Sequence, residues 1–121
     1  MDSYEILKTI YPEDKLEHVE EFVILLLNRA NKVLGWAMIS IGGVSGCVVD
    51  AKVVYQLALN CNASSLILSH NHPSGNLQPS DADVKITKKL KEAGQLLGIN
   101  VLDHIVITSE GFYSFADEGM I

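Results

Sequence analysis

The sequence predicts a single α/β domain, a sandwich built around a mixed sheet. Three observations predict it: a length of 121 residues suits one domain, an apolar content of 48% is ordinary for a globular protein, and strand-like and helix-like segments follow one another along the chain. Their order is strand, strand, strand, helix, strand, helix, strand, strand. Because strands and helices do not alternate one for one, we expect a mixed sheet rather than a regular doubly wound fold.

A short segment precedes this pattern. Leu7 and Tyr11 stand at helical spacing, with further apolar residues around them, and Pro12 is expected to end that helix. We therefore divide the chain into an N-terminal extension, residues 1–16, and the domain itself, residues 17–121.

The domain opens with strand patterns. Residues 21–27 are rich in Val, Ile, Leu and Phe, which is typical of a buried strand. A polar loop at 28–32 leads to a second strand over 33–41, which two glycines break. Residues 44–49 are predicted to be a short third strand or a loop.

Two helices and three more strands follow. Asp50 is expected to cap a helix over 51–60, and 65–70 is predicted to be a central strand. Residues 71–79, rich in Pro and Gly, are predicted to form a loop, where functional groups often lie.

The longest helix is predicted to open at Ser80 and to end at Gly98, a residue type common at helix C-termini. Strands over 101–108 and 111–115 complete the chain. The buried stripe of this helix is predicted to be Ile86, Leu90, Ala93 and Leu97.

Composition disfavours several functions. Nine basic against fifteen acidic residues give a net charge of −6, whereas a nucleic-acid binder normally carries a basic face. The local excess of lysines in 85–91 is interpreted as the solvated face of a helix, so tight DNA binding by this chain alone is not expected. The longest apolar run is six residues, 22–27, and a membrane span needs about twenty, so no membrane span is expected.

The compartment is expected to be the cytoplasm. The N-terminus lacks the basic and apolar regions of a signal peptide. Cys47 and Cys61 are too few for a disulfide framework, and we interpret both as small apolar residues in a reducing compartment.

A histidine pair is the strongest functional signal. His70 and His72 follow the apolar run 66–68, and on a strand side chains two residues apart leave the same face. A carboxylate from the start of the next helix, Asp83, would add an oxygen ligand. Two nitrogens, one oxygen and an open fourth position are what a catalytic zinc ion requires.

Structural explanations stand beside this one. An H-x-H pair at a strand end is more often structural than catalytic when it stands alone. Ser80 and Asp83 also have the S-x-x-D spacing of a capping box at a helix start. The two interpretations are compatible, because the helix N-terminus points toward the loop in both.

A hydrolytic site would also need a base. Glu20 and Glu21 stand at the head of the first strand, and alternation sends them to opposite faces. At most one of them can point at the metal.

These residues together carry a resemblance. The set Glu, then H-x-H, seven residues, S, two residues, D resembles the JAMM metalloprotease motif. Within that superfamily, H-N-H-P-S-G with P-S-x-x-D resembles RadC, and the match spans residues 17–121.

The resemblance implies a JAMM-type fold, a three-layer sandwich of the cytidine deaminase type with a mixed central sheet and flanking helices. It implies Glu20 rather than Glu21 as the base, because RadC-type sequences usually have E-x-F at this strand head. It implies that Ser80 helps to hold the site and to stabilise the oxyanion. It implies zinc as the cofactor, with three ligands, His70, His72 and Asp83.

The expected function is zinc-dependent hydrolysis of peptide or isopeptide bonds in a peptide or protein substrate. Two alternatives stay open: a DNA-repair role on or near DNA, which the RadC name carries and the net charge does not favour, and a non-catalytic interaction module. Full-length RadC also has an N-terminal helix-hairpin-helix region. The chain is therefore expected to be a fragment or a stand-alone catalytic module.

Overall fold

A computed structural model describes residues 2–42 and 48–121 of the chain. Five strands form one sheet in the order β2-β1-β3-β4-β5. Only the β3–β4 pair is parallel among these strands, so the sheet is mixed, as predicted. The elements are α1 (Ser3–Ile10), α2 (Glu13–Leu16), β1 (Glu21–Leu27), β2 (Val33–Ile41), α3 (Ala51–Asn60), β3 (Ser65–Asn71), α4 (Asp81–Leu97), β4 (Asn100–Thr108) and β5 (Gly111–Ser114).

Helices cover both faces of the sheet. On one face, Val54 of α3 and Leu90 of α4 pack with Ile24 of β1 in one apolar cluster. On the other face, Leu7 and Tyr11 of the N-terminal segment pack against the alternate side chains of β1 and β3. β1 and β3 are buried along their whole lengths because they lie between two helical layers. The predicted α/β sandwich is confirmed.

Local chemistry sets the helix ends, as the sequence predicts. The Asp50 side chain accepts a hydrogen bond of 2.9 Å from the Lys52 amide at the start of α3. Ser80 and Asp83 form a capping box at the start of α4. Gly98 ends α4 with φ of 73°, a left-handed conformation that glycine adopts without steric cost.

One burial prediction is wrong, because Leu97 is 47% exposed. Cys61, interpreted as a small apolar residue, is exposed at the end of α3. In α4 the buried side chains are Thr87 and Leu90, and at Gly94 an added Cβ would meet the Ile99 carbonyl. The rest of the predicted stripe is confirmed, because Ile86 and Ala93 pack against the same core as Leu90. In the last turn, α4 approaches the Ile99 backbone through Gly94 rather than through Leu97.

Three further predictions have different outcomes in the structure. The predicted segment 44–49 lies mostly outside the described residues, and its described part, Val48 and Val49, is not in a strand. The boundary at residue 16 stays a prediction, although α1 itself packs onto the sheet through Leu7. Among the described residues, no helix is long and apolar enough to cross a membrane.

Candidate metal centre

The candidate site lies where β3 ends, beside the start of β1 and the N-terminus of α4. His70 is paired with Phe22 of β1. The backbone stays extended past β3, because the His72 amide donates a hydrogen bond of 3.0 Å to the Ile107 carbonyl of β4. Both imidazoles therefore leave the same face of the sheet, as alternation predicts.

Three candidate ligand atoms converge there. The Nε2 atoms of His70 and His72 are 2.8 Å apart. Asp83 Oδ2 lies 3.2 Å from the first and 3.1 Å from the second. A tetrahedral zinc ion with bonds of about 2.1 Å separates its ligands by about 3.4 Å, so the sides of this triangle need to lengthen by only a few tenths of an ångström to accept one.

The chemistry of these atoms suits a cation. His72 Nδ1 is 2.6 Å from the Asn76 carbonyl oxygen. A carbonyl only accepts, so Nδ1 of His72 carries a proton and, in the neutral ring, Nε2 presents a lone pair. That lone pair faces the Asp83 carboxylate. Electron-rich atoms this close repel one another unless a metal ion or a proton lies among them, and the residues therefore fit a zinc ion.

The charges of the ligands depend on one another. The hydrogen bond to the Asp83 carboxylate raises the pKa of His72, against the opposing effect of burial. Burial alone would raise the pKa of Asp83. The two adjacent imidazoles and the Ser80 amide outweigh burial, and they hold the pKa of the Asp83 carboxyl far below its usual range.

A second carboxylate adjoins the histidines. Ligand atoms of Glu20, His70 and His72 all lie within 4.8 Å of one another. Glu20 precedes Phe22 by two residues, and Phe22 is the strand partner of His70, so alternation brings Glu20 to the histidine face. Glu21 is one position further and is 9% exposed. The structure thus brings Glu20 to the site, while its role as the base stays a prediction.

Ser80 holds Asp83 rather than only capping α4. The Ser80 hydroxyl oxygen accepts a hydrogen bond of 3.1 Å from the Asp83 amide. The Ser80 amide donates one of 2.8 Å to Asp83 Oδ2, the same oxygen that faces the histidines. The capping box therefore also orients the candidate ligand.

Asn71 faces away from the histidines and holds the segment that precedes β1. Its side-chain NH₂ donates to the carbonyls of Leu16 and Val19, at 3.0 and 2.7 Å. Its Oδ1 accepts from the Glu21 amide at 2.8 Å. Asn71 therefore ties the chain before β1 to β3.

Two buried residues stand behind His70. His104 is fully buried, and its Nε2 is 2.7 Å from His70 Nδ1. Burial, together with charge on His70, lowers the pKa of His104. Thr87, whose hydroxyl lies 2.5 Å from His104 Nδ1, was not predicted. Its only sequence signal is its position one helical turn after Asp83.

Comparison with known proteins agrees with this fold. A mixed five-stranded sheet with helices on both faces is consistent with a JAB-type fold. The chain belongs to the RadC-like JAB domain family, whose model matches residues 1–120.

Curated relatives carry the family name UPF0758. The chain is 50% identical over 119 residues to a UPF0758 protein of Flavobacterium johnsoniae, a match covering 98% of this chain and 51% of the relative. It is 38% identical over 117 residues to one of Methanosarcina mazei, covering 97% of this chain and 51% of that protein. It is 46% identical over 102 residues to one of Desulforamulus reducens, covering 84% and 45%. The chain thus spans about half the length of the curated relatives it matches.

Proposed function

We propose that the chain is a zinc-dependent metallohydrolase that cleaves peptide or isopeptide bonds. One observation carries the proposal: the triangle of His70 Nε2, His72 Nε2 and Asp83 Oδ2, with sides of 2.8 to 3.2 Å, beside the carboxylate of Glu20. Three protein ligands with a neighbouring carboxylate are the usual composition of a hydrolytic zinc site.

Each side chain has a distinct task in this proposal. His70, His72 and Asp83 hold the zinc ion, and the Ser80 amide keeps Oδ2 of Asp83 aimed at it. Zinc, when bound, supplies a Lewis acid that polarises a carbonyl and makes a water acidic near neutral pH. Glu20 takes the proton of the attacking water and delivers it to the leaving amine.

The N-terminus of α4 contributes to transition-state stabilisation. The Ser80 oxygen accepts a hydrogen bond from the Asp83 amide, and its hydroxyl proton can still be donated to a bound group. The positive end of the 17-residue helix α4 lies at the same place. We therefore assign Ser80 to the developing oxyanion, where such a donor is worth about 10²–10³ in rate.

The surroundings favour a peptide over a phosphodiester. The chain has a net charge of −6, and Glu20 adds a carboxylate at the site, so a nucleic-acid backbone would meet repulsion. β2 is an edge strand among the described residues, and its last residue, Ile41, pairs with Glu21. An extended peptide added along this edge would run toward the metal site.

The test is an activity screen with a matched pair of variants. Purified protein would be offered a library of quenched fluorescent peptides and a lysine-linked isopeptide, with added zinc and with chelator. Cleavage should require zinc. Glu20→Gln should lower kcat about 10²–10⁴-fold at unchanged zinc content, because a general base contributes about that much. Glu21→Gln, the same change one residue along, should leave kcat within about twofold.

Two outcomes would reject the proposal. One is full zinc loading without cleavage of any substrate offered, which would indicate a binding module. The other is cleavage that survives chelation or Glu20→Gln, which would place the catalysis elsewhere.

A further inference from the structure

A chain of buried hydrogen bonds links the two candidate ligands His70 and Asp83 behind the metal site. His70 Nδ1 lies 2.7 Å from His104 Nε2, and His104 Nδ1 lies 2.5 Å from the Thr87 hydroxyl. That hydroxyl lies 2.7 Å from the backbone carbonyl oxygen of Asp83. The three side chains come from β3, β4 and α4 and are each at most 3% exposed.

The donor and acceptor of each hydrogen bond can be worked out from the last group in the chain, the Asp83 carbonyl. The Asp83 carbonyl can only accept, so the Thr87 hydroxyl proton points to it. The Thr87 oxygen then has only lone pairs to offer, and His104 Nδ1 must be the donor. If Thr87 donated to His104 instead, its oxygen would face the carbonyl oxygen at 2.7 Å with no proton between them.

The same reasoning continues to His70. His104 lies between the rings of Phe22 and Phe115, surroundings that disfavour a charged imidazole. A neutral ring carries one N–H, so with Nδ1 protonated the Nε2 of His104 is an acceptor. His70 Nδ1 must therefore donate to it. The remaining nitrogen of His70, Nε2, is left with a lone pair directed at the metal site.

We infer that Thr87 and His104 are positioning residues, which fix His70 in the Nδ1–H tautomer and so make its Nε2 a zinc ligand. The inference rests on the metal site of the proposed function and concerns cation binding, not hydrolysis. The two histidine ligands are thereby set in different ways. A backbone carbonyl, that of Asn76, orients His72, whereas side chains orient His70.

The hydrogen bonds that run from His70 through His104 and Thr87 to Asp83, called the relay below, join two candidate ligands that also face each other across the site. It begins at a ligand on β3 and ends at the backbone of the ligand on α4, while His70 Nε2 is 3.2 Å from the Asp83 carboxylate. A shift of α4 along the sheet would therefore disturb the tautomer of His70 together with the position of Asp83. Outer hydrogen-bond partners of this kind typically account for about 10–100-fold in metal affinity.

The first measurement reads the tautomers directly. Nitrogen-15 NMR of the histidine rings in the intact, zinc-free protein should show His104 protonated at Nδ1 and bare at Nε2. His70 should have the same pattern. On adding zinc, the His70 Nε2 signal should shift while His104 keeps its tautomer. A proton on His104 Nε2, or zinc bound through His70 Nδ1, would overturn the inference.

The second measurement is zinc affinity, by competition with a chromogenic chelator. Thr87→Val keeps the shape and removes the hydroxyl, and should weaken zinc binding about 10–100-fold. Thr87→Ser keeps the hydroxyl and should restore affinity to within about threefold. Thr9→Val is the matched control, because the Thr9 hydroxyl also bonds a carbonyl within its own helix, that of Ile6 at 2.7 Å, but on α1. It should leave zinc affinity unchanged.

The outcomes are distinguishable. Equal loss in Thr87→Val and Thr87→Ser would show that Thr87 acts through packing, and no loss in Thr87→Val would show that the relay is idle. If Thr87→Val fails to fold, the histidine tautomers that nitrogen-15 NMR measures in the unaltered protein still test the inference. Neither measurement depends on hydrolysis. A protein that has the expected histidine tautomers but cleaves no substrate would therefore contradict the proposed function and still support this inference.

Discussion

The two faces of β3 both bear buried polar side chains, yet those side chains do different things. Ser69 and Asn71 face α1, and their polar atoms are matched donor to acceptor with Tyr11 and the backbone before β1. His70 and His72 face α4, where two nitrogens and a carboxylate oxygen approach to 2.8 to 3.2 Å. Both faces carry polar side chains, of which Ser69, Asn71 and His70 are buried and His72 is partly buried. What distinguishes the site is that candidate ligand atoms of two histidines and one aspartate converge on one point, as a bound cation requires.

Removing a candidate ligand from the histidine face should have the largest effect, and the quantity that changes should be zinc affinity. Asp83→Asn keeps the size of the side chain and removes the charge. We expect zinc affinity to fall about a thousandfold, more than the 10–100-fold typical of losing an outer partner, because a ligand itself is lost. Ser69→Ala, on the opposite face of β3, should not change it. Calorimetric titration of both variants checks this. Equal affinity of Asp83→Asn and the unaltered protein would remove Asp83 from the site.

Breaking the α1 face should instead lower stability. Asn71→Ala removes three hydrogen bonds, to the carbonyls of Leu16 and Val19 and from the Glu21 amide. At about 1 kcal/mol each, the free energy of unfolding should fall by about 3 kcal/mol. Urea denaturation of the zinc-free protein measures it. If folded Asn71→Ala lost as much zinc affinity as Asp83→Asn, the division between the faces would be wrong.

The sequence predicts features that depend on neighbours along the chain. The buried strand 21–27, the Asp50 cap of α3 and the Ser80 capping box follow from local composition and helix-end chemistry, and all are present. Leu97 was misplaced because an apolar residue in a last helical turn fits the helical period whether or not anything covers it.

Features that depend on strand register were beyond the sequence. The placement of β1 between β2 and β3 is a nonlocal pairing that no local pattern specifies. Alternation alone left Glu20 and Glu21 as equals, and only the resemblance favoured Glu20. In the structure, the pairing of Phe22 with His70 puts Glu20 on the histidine face. The contact of His104 with Thr87 needs β4 beside β3 and α4 above both, so the position of Thr87 one helical turn after Asp83 was too weak a signal to mark it as functional.

A smaller effect should distinguish the two faces of β3, namely how the loss of stability in each variant depends on pH. The pKa of Asp83 is lowered on folding, so its stabilisation is present above the unfolded value of about 3.9 and is lost as pH falls. The pKa of His72 is raised, so its stabilisation is full below about 6.5 and is lost as pH rises through the raised value. In zinc-free protein the stability difference from Asp83→Asn should therefore be greatest between about pH 4 and 6.5. Thermal melts across pH check this, and a difference that is flat with pH would contradict it. The difference from Ser69→Ala should be flat.

The smallest effect tests whether the faces are independent. The Tyr11 hydroxyl donates a hydrogen bond of 3.0 Å to Ser69 on the α1 face. Tyr11→Phe and Ser69→Ala should each cost about 1 kcal/mol, and the double variant should cost less than their sum, because the second change finds the bond already broken. Zinc affinity should be the same in all three, since Ser69 and His70 are neighbours in sequence whose side chains leave opposite sides of a packed strand. A loss of zinc binding in Tyr11→Phe would mean that β3 moves as one body when α1 loosens. The metal site would then depend on the N-terminal helix, although none of the contacts described between them is direct.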